Sequence, residues 1–154
     1  MPPLPPLAKR DFAVLAEFRC ELRRFLRFAD ESAKAEGLTP LQYQLLLQVK
    51  GLPRRREASI GELAGRLQTV HHGIVSLVTR CERAGLVERV PGQVDRRQVL
   101  VRLTPKGERA VTRVALANRN ELLSLSSVFR VPRLSAFNDR ARWPAPRRTR
   151  ATPS

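Results

Sequence analysis

The stretch LQTVHHGIVSLVTRCERAGLVERVPGQVDRRQVLVRL, residues 67–103, decides the fold. On a wheel turning about 100° per residue, the helical period, Ile74 shares a face with Val70, Leu77, Val78 and Cys81. That face is the expected core seam, packing on Ile60, Leu63 and Leu67. Thr69, His72, Ser76, Thr79 and Arg83 fall on the opposite side, with Arg80 toward one edge. Gly85 suits the left-handed backbone that ends helices, so the helix is expected to run from the turn at Gln68 and Thr69 to about Ala84. Residues 86–90 and 99–103 are β-prone runs on either side of a loop that opens with Pro91 and Gly92, and they are expected to pair as a hairpin. Its tip carries Asp95, Arg96 and Arg97.

Upstream, Ser59 followed three residues later by Glu62 predicts a capping box: the serine hydroxyl accepts from the Glu62 amide while the carboxylate reaches back. A short helix over 60–67 follows from it. Thr39 and Pro40 supply an N-cap and a first-turn proline for a helix carrying Leu41, Leu45, Leu46 and Val49, which Gly51 and Pro53 end. Arg54, Arg55 and Arg56 then fall in a loop. Before all of this, Phe12, Leu15, Phe18, Leu22, Phe25, Leu26 and Ala29 recur at three- and four-residue steps, the pattern of a long amphipathic helix over 11–35 that Gly37 stops. Downstream, Thr104 and Pro105 repeat the start signal for a helix through Ala110, Val111, Val114, Ala117, Leu122 and Leu125 to about residue 127. Pro132 opens a shorter segment with Leu134 and Phe137, and residues 1–10 and 143–154 are expected to be disordered, the latter as a basic tail.

The fold class that follows is mainly α with a small β-hairpin wing. A capped helix, a tight turn, a second helix with one polar face and a hairpin with a basic tip make a winged helix-turn-helix lobe over 37–104. The helices at 11–36 and 105–142 flank it as dimerisation helices. The aromatic stripe Phe12, Phe18 and Phe25 is too wide for one small lobe to cover, which points to a homodimer.

Composition narrows the partner. The 154 residues carry a formal net charge of +15, with 14 acidic residues interleaved among 29 lysines and arginines, the balance of a folded basic protein that needs a polyanion. A membrane surface would attract the same charge, but the hairpin favours double-stranded DNA. No apolar run reaches the roughly 20 residues of a spanning helix, and the proline-rich start lacks a signal-peptide core, so a cytoplasmic protein is expected. The two cysteines, Cys20 and Cys81, match no metal spacing and are read as reduced thiols, Cys20 buried or partly so. Adjacent histidines such as His71 and His72 cannot share a helix face, and zinc helices need four-residue spacing. With no glycine-rich phosphate loop, nucleophile elbow or paired carboxylates, neither an enzyme, nor a metal site, nor a cofactor is expected.

The candidate DNA-binding residues are therefore Thr69, His71, His72, Ser76, Thr79, Arg80, Asp95, Arg96 and Arg97. Short hydroxyl, imidazole and guanidinium groups without a carboxylate before Glu82 can approach phosphates and base edges without like-charge repulsion. The plainer reading is a solvated helix face. In the loop, Asp95 can hold the Arg97 guanidinium in one rotamer for entry into a narrow minor groove, while Arg96 faces phosphate. A non-specific basic nucleic-acid-binding protein of architectural type is the alternative that composition alone permits.

Four segments resemble the MarR family of bacterial transcriptional regulators: 37–46 (GLTPLQYQLL), 60–64 (IGELA), 77–87 (LVTRCERAGLV) and 95–107 (DRRQVLVRLTPKG). The resemblance implies a homodimer with intertwined terminal helices and two winged lobes meeting adjacent major grooves of a pseudo-palindromic operator. By motif position it makes Arg97 the minor-groove arginine and Asp95 its orienting partner. It further implies a repressor that leaves DNA when a small aromatic or anionic effector enters the cleft between dimer helices and lobe.

Overall fold

A computed structural model of the chain describes residues 6–125. The expectations for the Pro132 segment, the remainder of 105–142 and the basic tail lie outside those residues. The elements run α1 (Lys9–Ala35), α2 (Pro40–Lys50), β1 (Glu57–Ser59), α3 (Ile60–Leu67), α4 (His71–Arg83), β2 (Val87–Pro91), β3 (Val99–Leu103) and α5 (Pro105–Ser124). This is the mainly helical, winged architecture expected. It falls into two units, Arg27–Asn120 and, among the described residues, 6–26 with 121–125.

Helix α1 starts two residues earlier than its apolar pattern. The Asp11 carboxylate accepts from the Ala8 amide at 2.7 Å, so the first turn closes over Lys9 and Arg10, which the sequence reading left in a disordered end. At its other end Gly37 takes φ +76°, and the Leu38 and Gly37 amides donate to Ala33 and Lys34 oxygens, the Schellman closure that only a glycine enters without strain. Both expected N-caps form. Thr39 Oγ1 accepts from Gln42 N at 3.1 Å and Ser59 Oγ from Glu62 N at 3.1 Å, each with the reciprocal side-chain bond.

The sheet has three antiparallel strands in the order β1-β3-β2, where a two-stranded hairpin was expected. The added strand, Glu-Ala-Ser, is too short to show alternation. It is stabilised by its partner: Glu57, Arg102 and Glu88 lie in register across β1, β3 and β2, and the Arg102 guanidinium reaches Glu88 at 2.7 Å and Glu57 at 3.6 Å. Strand β2 also begins one residue later than read, at Val87, because Leu86 is taken up by the closure of α4. Gly85 adopts φ +72° and Leu86 N donates to Cys81 O at 2.9 Å.

The core of the Arg27–Asn120 unit gathers Leu45, Leu46 and Val49 of α2, Leu63 of α3, Ile74, Val78 and Cys81 of α4, Val87 and Val101 of the sheet, and Val111 and Val114 of α5. Tyr43 is buried where Leu41 was expected to be; Leu41 is exposed. The Tyr43 hydroxyl accepts from Asn118 Nδ2 at 2.8 Å, pinning α2 to α5 inside the core, and burial pushes its pKa up. Helix α5 docks closely: Gly107 sits so near the Leu86 carbonyl that any side chain there would collide with it.

Candidate nucleic-acid interface

Helix α4 presents the two faces its sequence predicts, with two exceptions at its start. Ile74, Leu77, Val78 and Cys81 are buried, and His71, His72, Ser76, Arg80 and Arg83 are exposed. Val70, assigned to the core seam, is instead 57% exposed. It is the N-cap, with extended φ −78° and ψ 152°, so the helical wheel does not apply to it. Thr69 likewise precedes the helix. It lies exposed in the turn that follows Gln68, whose φ of 51° ends α3 in the left-handed region.

Thr79 departs from the outward face as well. Its hydroxyl donates to Val75 O at 3.0 Å and accepts from Arg89 Nη2 at 2.9 Å. Arg89, on β2, also pairs with Glu82 at 2.7 Å and so ties α4 to the wing. The sequence reading missed Arg89. An arginine on a hairpin strand some residues past a Thr and a Glu carries no local signal, since only the chain reversal at Gly85 brings them together.

The wing tip is fully outward. Asp95, Arg96 and Arg97 are exposed, and neither arginine has an ion-pair partner among the described residues. The Asp95 carboxylate accepts from the Arg97 backbone amide at 3.0 Å, not from its guanidinium as expected. Over two residues the amide is the nearer donor, and the contact is an Asx-turn that shapes the loop. Two backbone bonds close it further, Gly92 N to Gln98 O at 2.8 Å and Gln98 N to Asp95 O at 3.1 Å. Where helix and wing meet, His71 and Val75 share an open cleft of about 460 Å³ with Arg89, Gln98 and Val99.

Cys20 is exposed, contrary to expectation, whereas burial pushes the Cys81 thiol up to about 11. Among the described residues no group of three His, Cys, Asp or Glu could hold a metal, and no helix is long and apolar enough to cross a membrane.

A partly exposed helix with one polar face, a preceding helix across a tight turn and a three-stranded wing define a winged helix-turn-helix protein. Residues 36–98 match the MarR family model. The chain is similar to an HTH-type transcriptional regulator, YsmB, of Bacillus subtilis, 29% identical over 66% of this chain and 67% of YsmB. Among solved structures it resembles a MarR family protein from Bacillus stearothermophilus, at 26% identity, TM-score 0.64, 87% of this chain and 92% of the other. A point mutant of MepR from S. aureus, bound to an oligodeoxyribonucleotide, shares the fold at 19% identity and TM-score 0.60, over 79% and 88% of the two chains. The chain spans 43% to 67% of the length of the curated relatives it matches. Residues 36–98 thus carry a likeness to the MarR family, and the chain resembles transcriptional regulators of that type.

Proposed function

We propose that the chain is a homodimeric, sequence-specific DNA-binding repressor that reads a pseudo-palindromic operator and leaves it when a small aromatic or anionic effector binds. One observation carries this reading: His72, Ser76, Arg80 and Arg83 stand exposed on one helix beside a wing tip whose two arginines are unpaired among the described residues. In this reading α4 enters the major groove and directs His72, Ser76 and Arg80 at base edges. Thr69 and His71, at its start, contact phosphate. Arg97 probes the adjacent minor groove, Arg96 faces phosphate, and Asp95 acts by holding the loop in shape. Thr79 contributes indirectly, by anchoring Arg89.

The oligonucleotide bound to the MepR variant supports DNA as the ligand. The partly exposed apolar side chains of α1, Phe12, Leu15, Leu22 and Leu26, support a partner copy packed on 11–36 and 105–142 around the lobe at 37–104. A protein of this kind acts in the cytoplasm, without catalysis.

Selection of DNA fragments from a random pool tests the proposal. The expected product is a two-fold repeat with half-sites about one helical turn apart, bound about 10³-fold or more above bulk DNA. Arg97→Ala should weaken binding to that fragment by about 1–3 kcal/mol with an unchanged fold. Equal affinity for selected and random DNA would favour the architectural alternative, and an unchanged Arg97→Ala variant would remove the wing from the interface. A reporter gene placed behind the selected fragment reads the sign of regulation, with silencing expected.

A further inference from the structure

Helices α2, α3 and α4 begin alike in backbone and differ in one side chain. Thr39 and Ser59 cap α2 and α3 with a hydroxyl acceptor, each completed by a side chain that reaches back to the cap's own amide. Val70 holds the same extended N-cap conformation at the start of α4 and supplies no side-chain hydrogen bond. Valine is among the poorest N-caps, and a serine there would stabilise the helix start. Its side chain is nonetheless 57% exposed. Gly73 has no side chain to cover it, since a Cβ there would lie 3.5 Å from Val70 Cγ2.

Val75, five residues on, is 37% exposed in the interior of α4, where a β-branched side chain lowers helix propensity. Neither valine belongs to the buried core. On the helical wheel Val75 stands about 60° from His72 and about 100° from Ser76, so a surface that meets those two side chains also meets this one. The backbone at that point is fixed: Val75 O accepts from Thr79 Oγ1 at 3.0 Å and from Arg89 Nη2 at 3.4 Å. A residue that weakens its own helix and stays out of the core is explained by what it touches outside the chain.

The exposed neighbours of these valines along α4 are His71, His72, Ser76 and Arg80, polar or cationic groups suited to a polyanion. Base edges in the major groove offer donors, acceptors and one apolar group, the thymine C5-methyl. A valine pressed on any other edge strips water from a polar atom and returns no hydrogen bond. On a thymine methyl it removes apolar surface from water on both sides.

We propose that Val70 and Val75 are specificity-determining residues, each closing on the C5-methyl group of a thymine, so that the preferred DNA carries thymine at two positions of each half-site. The N-terminal part of a recognition helix is the part that meets base edges, and both valines lie there. This assignment rests on the proposed function and adds an apolar component to its polar readout.

The test takes the fragment that the full chain selects from a random pool and replaces its thymines by deoxyuridine one at a time. That change removes the C5-methyl and keeps the base pair and the O4 acceptor. Replacement at two thymines of a half-site should each lower affinity about fourfold, the worth of one buried methyl group. Val70→Ser should abolish the loss at one of them and Val75→Ala at the other. Both variants should melt no lower than the parent, because serine supplies the missing cap and alanine favours the helix, while their affinity for the thymine fragment falls about fourfold or more. A merely structural role would move stability and affinity together. Equal affinity for thymine and uracil fragments at every position overturns the assignment, as do uracil losses that persist undiminished in both variants; either result leaves the proposed function standing. A pool that yields no preferred fragment refutes the proposed function, and this assignment with it.

Discussion

Cys81 and Cys20 show how far one residue's surroundings decide its chemistry. Cys81 is fully buried, desolvation raises its pKa to about 11, and the nearby Arg80 only partly offsets this, so its thiolate is scarce at neutral pH. Cys20 is exposed, and at about 100° per residue it lies across α1 from the apolar stripe of Phe12, Leu15 and Leu22, so a partner copy on that stripe leaves it open. Ellman's reagent should therefore titrate one thiol per native chain and two after denaturation; two in the native protein would contradict the packing of α4. Gly107 is limited by space. Gly107→Ala drives a methyl group into the Leu86 carbonyl and should cost about 1–3 kcal/mol in urea denaturation. At this scale the sequence was legible where periodicity governs, as for Ile74, Leu77, Val78 and Cys81. It misled at Val70 and Asp95, where an N-cap conformation and a nearer backbone donor override the wheel and the charge pair.

The capping boxes govern where helices begin. Ser59→Ala removes the acceptor for the Glu62 amide and should cost about 1 kcal/mol. Glu62 has its pKa lowered, first by the hydrogen bond from Arg55 and then by the Ser59 amide. A carboxylate depressed on folding stabilises above its unfolded pKa and loses that contribution as pH falls through the folded value. Glu62→Ala should therefore lower the urea midpoint at neutral pH, and its deficit against the parent should close below the usual carboxylate range. A deficit that persists unchanged in acid would mean that packing, not charge, is responsible. Starts and stops such as Thr39, Ser59, Gly37 and Gly85 are written locally and were legible. Strand β1 was not, because three residues are stabilised by their pairing with β3 and by Arg102 between two glutamates.

Across the whole molecule, two features have opposite requirements. Phe12 and Leu26 on α1 and Leu123 on α5 are each more than half exposed, apolar surface that a second copy would remove from water. Light scattering is expected to give twice the 17.4 kDa of one chain, and Phe12→Asp with Leu26→Asp should shift the mass toward one. A wild-type mass of one chain at micromolar concentration would leave the stripe unexplained. The net charge of +15 instead asks for a polyanion, and it was legible from composition alone. The tie from Arg89 to Thr79 and Glu82 was not. It is assembled from segments that meet only through the folded chain.

The outward side chains of α4 carry a further consequence. Among the described residues the side chains of His72, Ser76, Arg80 and Arg83 make no hydrogen bond or ion pair within the chain, while Thr79, Glu82 and the buried seam hold the scaffold. The part of the helix free to vary is thus separate from the part that keeps it folded. On the proposed function, descendants of this chain can acquire new genomic addresses by exchanging three or four side chains, with no loss of stability to repair afterwards.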